Sequence, residues 1–382
     1  MSRRAVLSAL LSSIICYSAW AATPRFIPGT ATNLPQLVTK EGKIYKLGKK
    51  PYPAGTRAKW IAEGRTLAKT PVGYLPQGKM LKGAADNRSY MPPIGDQGSL
   101  GSCVFWAGTY YTKTANMKWK DPSINVNVAS NQCSPRFTYN LCNAGADNGG
   151  YGHEPFEICM RYGVASLQQL PYTTDYTTLP SQADFLEGLH RRTTNYVWLW
   201  DFSPDASQIA ELKAWLDAGH VAACGVYAED TFDAWGPGDA PWVGTTCTLD
   251  DINHMVTVCG YGTGYYLVAN QWGTSFGSNG YIVVDSDYFE HYFSDVMYPL
   301  EGTYEPATDY AKLTIKHGTR SDIRELLITA NGGTVWSNSP LPKDMPAGDS
   351  SGAFVTDSRD NLELAVDLSQ VAWGDANVVT AR

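Results

Sequence analysis

The feature that most constrains this chain is the glycine-rich segment Gly98-Ser99-Leu100-Gly101-Ser102, which opens directly onto a mixed apolar and polar run at 103–119. That run is long enough for a buried helix, and it puts Cys103 at the helix N-terminus. The unsatisfied N–H groups and the dipole of a helix favour negative charge at that end, so a thiol there loses its proton more readily and becomes nucleophilic. Farther along, 255–259 and 265–269 read as buried strands joined by a glycine turn, with a third at 280–284. A helix-rich half therefore precedes a strand-rich half. A short helix is expected near 57–69. With 43% apolar and 18% charged residues, and 12 Trp, 23 Tyr and 11 Phe against 36 Gly and 22 Pro, disorder, collagen, helical bundles and coiled coils are excluded.

The first residues form a separate segment. Arg3 and Arg4, the apolar stretch 5–17 and the small-x-small site Ala19-Trp20-Ala21 read as a signal peptide over 1–21, which implies a secreted or periplasmic protein. The paired arginines also permit a twin-arginine route. No spanning helix follows. From 22 to 86 there are 12 Lys or Arg against Glu41, Glu63 and Asp86; from 87 onward 16 basic side chains face 34 acidic ones. The nearest large negative surface for the basic leader is the rest of its own chain, so 22–86 reads as a pro-segment rather than a nucleic-acid-binding stretch. Docked on the acidic body it would occupy the cleft, and protonation of carboxylates would loosen it.

Cys103 needs a proton partner, and two later segments supply candidates. Asp96-Gln97-Gly98-Ser99-Leu100-Gly101-Ser102-Cys103 resembles the active-site segment of the papain-like cysteine peptidases, and His254 follows it. Asn270-Gln271-Trp272-Gly273-Thr274-Ser275-Phe276-Gly277 closely resembles the asparagine motif of the same family. The resemblance covers about 87–300 and looks like a bacterial secreted member. It implies an α+β, two-lobed papain-like fold, a helical lobe carrying Cys103 and an antiparallel β-barrel-like lobe carrying His254 and Asn270. It further implies that Cys103 attacks the peptide carbonyl, His254 carries the proton, Asn270 orients the ring, and Gln97 donates to the oxyanion. Trp272 would shield the Asn–His hydrogen bond. Asn148-Gly149-Gly150-Tyr151 resembles the wall along which the family binds substrate backbone. Val221, Asn253 and Met255 would approach the pocket for the substrate's second residue and make it apolar.

This chain departs from the family pattern at Leu100, Val104 and Gln271, none of which removes a reacting group. The leader lacks a long helical pro-domain signature. Beyond the signal and the nucleophile stand Cys133, Cys142, Cys159, Cys224, Cys247 and Cys259, which suit disulfides in an exported protein without fixing their pairing. No Cys-x-x-Cys or His-Glu-x-x-His spacing suggests a metal, and no cofactor is required. Short strands at 311–316, 324–329, 352–356 and 362–367 suggest a small all-β accessory module over 302–382. Gly348-Asp349-Ser350-Ser351-Gly352 reads as a turn. The expected organisation is thus signal 1–21, pro-segment 22–86, catalytic domain 87–301 and accessory module 302–382. The expected activity is that of a monomeric cysteine peptidase made as a zymogen and acting on protein or peptide substrates. The competing reading is a catalytically silent scaffold that binds an extracellular partner through its C-terminal module.

Overall fold

Helix begins at Cys103 and continues through three stretches, Cys103–Phe105, a π-helical Trp106–Lys113, and Thr114–Lys120. Residues 103–117 are all buried, which fits a segment that is apolar around most of its circumference rather than along one stripe. Its polar members find partners inside: Thr109 meets Thr138 at 2.7 Å, and Lys113 pairs with Glu301. Around it pack Pro135–Cys142, which begins on a proline whose missing N–H costs a first turn nothing, and Glu154–Arg161. The computed structural model describes residues 23–75, 81–143, 145–302, 310–316, 327–330, 333–337, 361–368 and 380–381. The signal segment 1–21, the turn Gly348-Asp349-Ser350-Ser351-Gly352 and the strand expected at 352–356 lie outside these.

The leader contributes a small antiparallel sheet of β1 (Arg25–Ile27), β2 (Gln36–Val38) and β3 (Ile44–Lys46), followed by the helix Thr56–Ala62, shorter than the 57–69 expected. The second lobe is a seven-stranded antiparallel sheet. It contains β4 (Ala85–Asp86), β5 (Thr193–Trp200), β6 (Ala222–Val226), β7 (His254–Gly262), β8 (Tyr265–Ala269), β9 (Tyr281–Asp285) and β10 (Ser294–Glu301). The strand order is β5-β10-β6-β7-β8-β9, with β4 pairing β7. Strands β6 and β10 are buried along their whole length, because the 103–120 helix covers one side and Ala206–Asp217 packs near the other. This is the helical lobe and antiparallel lobe of the α+β, two-lobed papain-like fold.

Toward the C-terminus β11 (Tyr310–Lys316) pairs β14 (Asn361–Asp367), while β12 (Leu327–Ala330) pairs both β13 (Gly333–Ser337) and β15 (Thr380–Ala381). These all-β sheets match three of the four strands read from the sequence. The disulfides expected from the cysteine count do not appear among the described residues. All seven described cysteines are thiols, and four of those six candidates, Cys133, Cys159, Cys224 and Cys259, are absorbed as small apolar groups in the core. No helix of the described residues is long and apolar enough to cross a membrane.

The Lys113–Glu301 pair ties the central helix to β10 with both side chains essentially unexposed. Lys113→Met would leave a carboxylate stranded in the interior and is expected to cost about 3–5 kcal/mol, whereas Lys113→Met with Glu301→Leu should recover most of the loss. Urea unfolding of the two variants beside the parent checks this; equal destabilisation by both would refute the stranded-charge account.

Candidate active site

Two motifs far apart in sequence are joined by backbone. Asp96 and Trp272 form an antiparallel bridge, with Gln97 N–H donating to Gln271 O at 2.9 Å and Gly273 N–H to Gly95 O at 3.0 Å. The segment before Cys103 and the segment after Asn270 are thus one structural unit. Strand pairing brings in the histidine: His254 opens β7, Asn270 directly follows β8, and β7 pairs β8. His254 Nε2 lies 2.9 Å from Asn270 Oδ1. Since an amide oxygen only accepts, Nε2 carries the proton, and Nδ1, which has no hydrogen-bond partner among the described residues, is left as the basic nitrogen. The Trp272 ring lies 4.9 Å from the imidazole, and its Nε1–H donates to Gln97 Oε1 at 3.3 Å.

The thiol and the imidazole are both fully buried and both held neutral. Burial pushes the Cys103 thiol up to about 11, against the opposing pull of backbone groups at Met255, Gly48 and Val104 and of the Lys49 charge. Burial likewise lowers His254 to about 4, with the Asn270 hydrogen bond acting the other way. The Met255 backbone reaches the sulfur, so the strand carrying His254 meets the helix carrying Cys103.

What covers the sulfur is the leader. Gly48 N–H donates to Cys103 Sγ at 3.3 Å, Lys49 N–H to Asn253 O at 3.0 Å, and Lys50 N–H to Gly150 O at 2.9 Å, while Gly150 N–H returns a bond to Gly48 O at 2.8 Å. Lys49 and Gly150 therefore pair as parallel strands. Side-chain room is absent at the crossing: a Cβ on Gly48 would fall 1.8 Å from Gly101 O, and one on Gly149, whose φ is +75°, 2.0 Å from Gly48 O. Gln97 Nε2 donates to Lys46 O at 3.0 Å, and Tyr45 stacks on Trp272 with centroids 5.0 Å apart. Among the described residues, ion pairs that join leader to body across the cleft include Lys43–Asp96, Lys46–Asp147, Lys49–Asp295 and Arg65–Glu157. Beside the strand a cavity of about 550 Å³ remains, lined in part by Leu47, Lys49, Asn148, Tyr227 and Asn253.

Cys103, His254, Asn270, Gln97, Gly149, Gly150, Asn253, Met255 and Trp272 are thus gathered around one point. Val221 is not. It precedes β6 and packs with Tyr111, Ala115 and Cys259, its carbonyl held by Asn116 and Trp215. The β6–β7 register explains the miss: Gly225 faces Met255 and Val226 faces His254, which leaves Val221 about 13 Å down the strand. Nor is the pocket apolar. An added Cβ on Gly225 would meet Ser294 Oγ, Lys49 Cε and Ile252 Cγ2, and Asp295 closes the pocket by pairing with Lys49 at 2.5 Å. The sequence reading also undervalued Gln271, whose Nε2 lies 2.8 Å from Met255 O and 3.2 Å from Gln97 Oε1. Tyr172, missed entirely, donates its hydroxyl to Gln97 O at 2.7 Å and meets Ser102 Oγ at 2.6 Å. No local motif marks Tyr172, Gly225 or Asp295. Among the described residues no group of three or more His, Cys, Asp or Glu side chains could hold a metal.

Residues 82–299 match the model of the family described as papain family cysteine protease. A cathepsin L-like proteinase of Fasciola hepatica is 27% identical over 201 residues, covering 50% of this chain and 56% of the relative. Cathepsin J of Mus musculus is 25% identical over 230 residues, covering 53% and 59%. The chain therefore matches a little over half the length of these curated relatives. Among solved structures, xylellain, a cysteine protease from Xylella fastidiosa, is 20% identical with a TM-score of 0.49, covering 67% of this chain and 96% of that one.

With its pKa near 11, Cys103 is about one part in a thousand thiolate at pH 8 while the leader is in place. Iodoacetamide should label it at least about 100-fold more slowly than an exposed cysteine, with the rate climbing roughly tenfold per pH unit up to 11. Site-resolved mass spectrometry of the intact chain reads this directly. Rapid labelling of Cys103 at pH 8 would mean that the thiol is not covered.

Proposed function

Since the chain belongs to the papain family of cysteine proteases, we propose that it hydrolyses peptide bonds with Cys103 as nucleophile, His254 as proton carrier, Asn270 as the group that orients the ring, and Gln97 as an oxyanion donor. The observation that carries this reading is the joint geometry: Asn270 fixes the proton on Nε2 of His254, and the Gln97 amide and the Cys103 sulfur both face one passing backbone. Thiolate forms when the imidazole takes the sulfur's proton; the sulfur adds to the carbonyl carbon, and the C–N bond breaks as the same proton leaves on the amine. Water, giving a proton to the imidazole, then adds to the thioester, the C–S bond breaks to release the acid, and the proton returns to the sulfur.

In this reading residues 22–86 are an inhibitory pro-segment. They fill the cleft without presenting a scissile bond. The sulfur meets the amide N–H of Gly48, whereas Gln97 meets the carbonyl of Lys46, two residues away, so no single carbonyl is offered to nucleophile and donor together. Burial also suppresses both charged partners of the reacting pair, with the leader lying on the sulfur. Glycine at 48 makes this possible, since its neighbours leave no space for a side chain. The order of charge, apolar run and small residues over 1–21 supports export, in a bacterium to periplasm or medium. A monomer acting on protein or peptide substrates completes the proposal.

Two variants of the full chain test it. Under reducing conditions the parent should lose its leader, as read by intact mass, and then cleave a fluorogenic peptide, while Cys103→Ala should do neither. Gly48→Val should unseat the leader, so that Cys103 in the uncleaved chain is alkylated at least about tenfold faster than in the parent. If the parent neither sheds the leader nor cleaves peptide after an added protease has cut the leader, the silent binding-scaffold reading replaces this one. If Gly48→Val leaves alkylation unchanged, the leader does not restrain the thiol.

A further inference from the structure

Among the ion pairs joining leader to body, one lies where a substrate side chain would go. Lys49 pairs its backbone with Gly150, one residue from the glycine that covers the sulfur. Its side chain runs away from Gly150 between Gly225 and Ile252 and ends on Asp295, both partners 0% exposed. Any chain that pairs with Gly150 sends the side chain of its paired residue into the same pocket, because a strand residue facing a neighbour projects its side chain to one fixed side.

The far end of that pocket is built for a cation. Asp295 stands at φ 47°, a left-handed conformation that side chains rarely take and that Asp and Asn tolerate best. Backbone held this way within β10 turns the carboxylate inward; Asp295 N–H donates to Asp201 O at 2.9 Å and Ser294 Oγ–H donates to Asp295 Oδ2 at 3.1 Å. The other oxygen, Oδ1, is buried with no hydrogen-bond partner among the described residues. A bare acceptor beside a carboxylate that already holds one ammonium has capacity for the second hydrogen bond of a guanidinium. Gly225 matters too, since a Cβ there would fall 2.8 Å from Lys49 Cε and close the passage that a long side chain needs.

We propose that Asp295 makes this a cation-selecting subsite: the peptidase prefers Lys, and Arg above all, at the second residue on the N-terminal side of the bond it cleaves, and the leader holds the site shut with a side chain of the class the site accepts. This rests on the peptidase reading above. The leader supplies the remaining support of the Lys49 ammonium, the Lys50 carbonyl at 3.3 Å and the Tyr52 ring at 5.3 Å. With the leader gone, a buried carboxylate faces an open pocket and penalises an apolar side chain that leaves it unpaired.

The test compares two fluorogenic peptides that differ only in Arg against Leu at that second residue, using the full chain activated by cleavage within its leader. The parent should favour Arg in kcat/KM by roughly 30-fold or more, and Asp295→Asn, whose side chain suits the same backbone conformation, should bring the ratio to about 1 or below. A parent that cleaves the Leu peptide as well as the Arg peptide overturns the proposal, whether or not the variant folds. So does an Asp295→Asn protein that keeps the parent's preference. Anisotropy of the same peptides on Cys103→Ala protein with its leader cut by an added protease separates the two readings. Preferential Arg binding without cleavage by the parent upholds the subsite and sinks the peptidase, and equal binding of both peptides sinks the subsite whatever the turnover.

Discussion

Where Gly48 passes between Gly101 and Gly149, backbone meets backbone with no space for a side chain on either side, and the arrangement of the site follows from that contact. Gly101 is held by its N–H to Asp147 Oδ1 at 2.8 Å, and the same carboxylate pairs through its other oxygen with Lys46 of the leader. Asp147 therefore fixes both the wall and the strand that lies on it. With the crossing point set, Gly48 N–H reaches the sulfur, the Lys46 carbonyl reaches Gln97 and the Lys49 side chain reaches Asp295, each by the ordinary repeat of an extended chain. Closure is geometric first and electrostatic second. The ion pairs hold a strand whose path the glycines already dictate.

The part of the site legible in the sequence is the part built from contiguous motifs. Cys103, Gln97, His254, Asn270, Trp272 and the Gly149-Gly150 wall each sit in a short segment whose chemistry can be read locally, and the strands at 255–259, 265–269 and 280–284 fall within β7, β8 and β9 apart from the first residue of the last. The space beside Gly225 was misread because it is assembled by strand register. Gly225 and Asp295 come from β6 and β10, neighbours in the sheet although 70 residues separate them in the chain, and nothing near either residue says that they share a wall. Val221 was the apolar residue in the right region of sequence but not the one whose register faces Met255. Gln271 was seen only as a replacement, although its amide bonds to Gln97 and to the Met255 carbonyl.

Charge segregation gave a sound expectation for docking, while the response to acid turns on burial rather than on charge count. A basic leader on an acidic body does form ion pairs, but their worth depends on burial. Lys43–Asp96 is about half exposed and contributes little, whereas Lys49–Asp295 and Arg65–Glu157 are largely enclosed. Burial raises the Asp295 and Glu157 carboxyls above their ordinary range despite their cations. The leader acts on each of them in two opposing ways, raising the carboxyl by dehydration and lowering it with the charge of Lys49 or Arg65, so their protonation does not by itself favour opening or closing.

The group that titrates in the opening direction is an imidazole, that of His153. Its Nδ1 lies 2.7 Å from Tyr52 Oη of the leader, and burial together with the Arg65 and Lys49 charges holds it well below its usual value. An imidazole so lowered stays neutral while covered and would return toward its usual value near 6.5 once hydrated. A base whose pKa is depressed in the closed state stabilises closure fully above the open-state value, and that contribution is lost progressively as pH falls below about 6.5. The imidazole therefore has a definite sign, whereas the leader pulls the enclosed carboxyls both ways. Net charge, which counts every Lys and Asp alike, carries no information about either. What decides the response to acid is which groups the leader dehydrates, and that is set by the path of its backbone through the crossing at Gly48 rather than by the count of 12 basic side chains in 22–86.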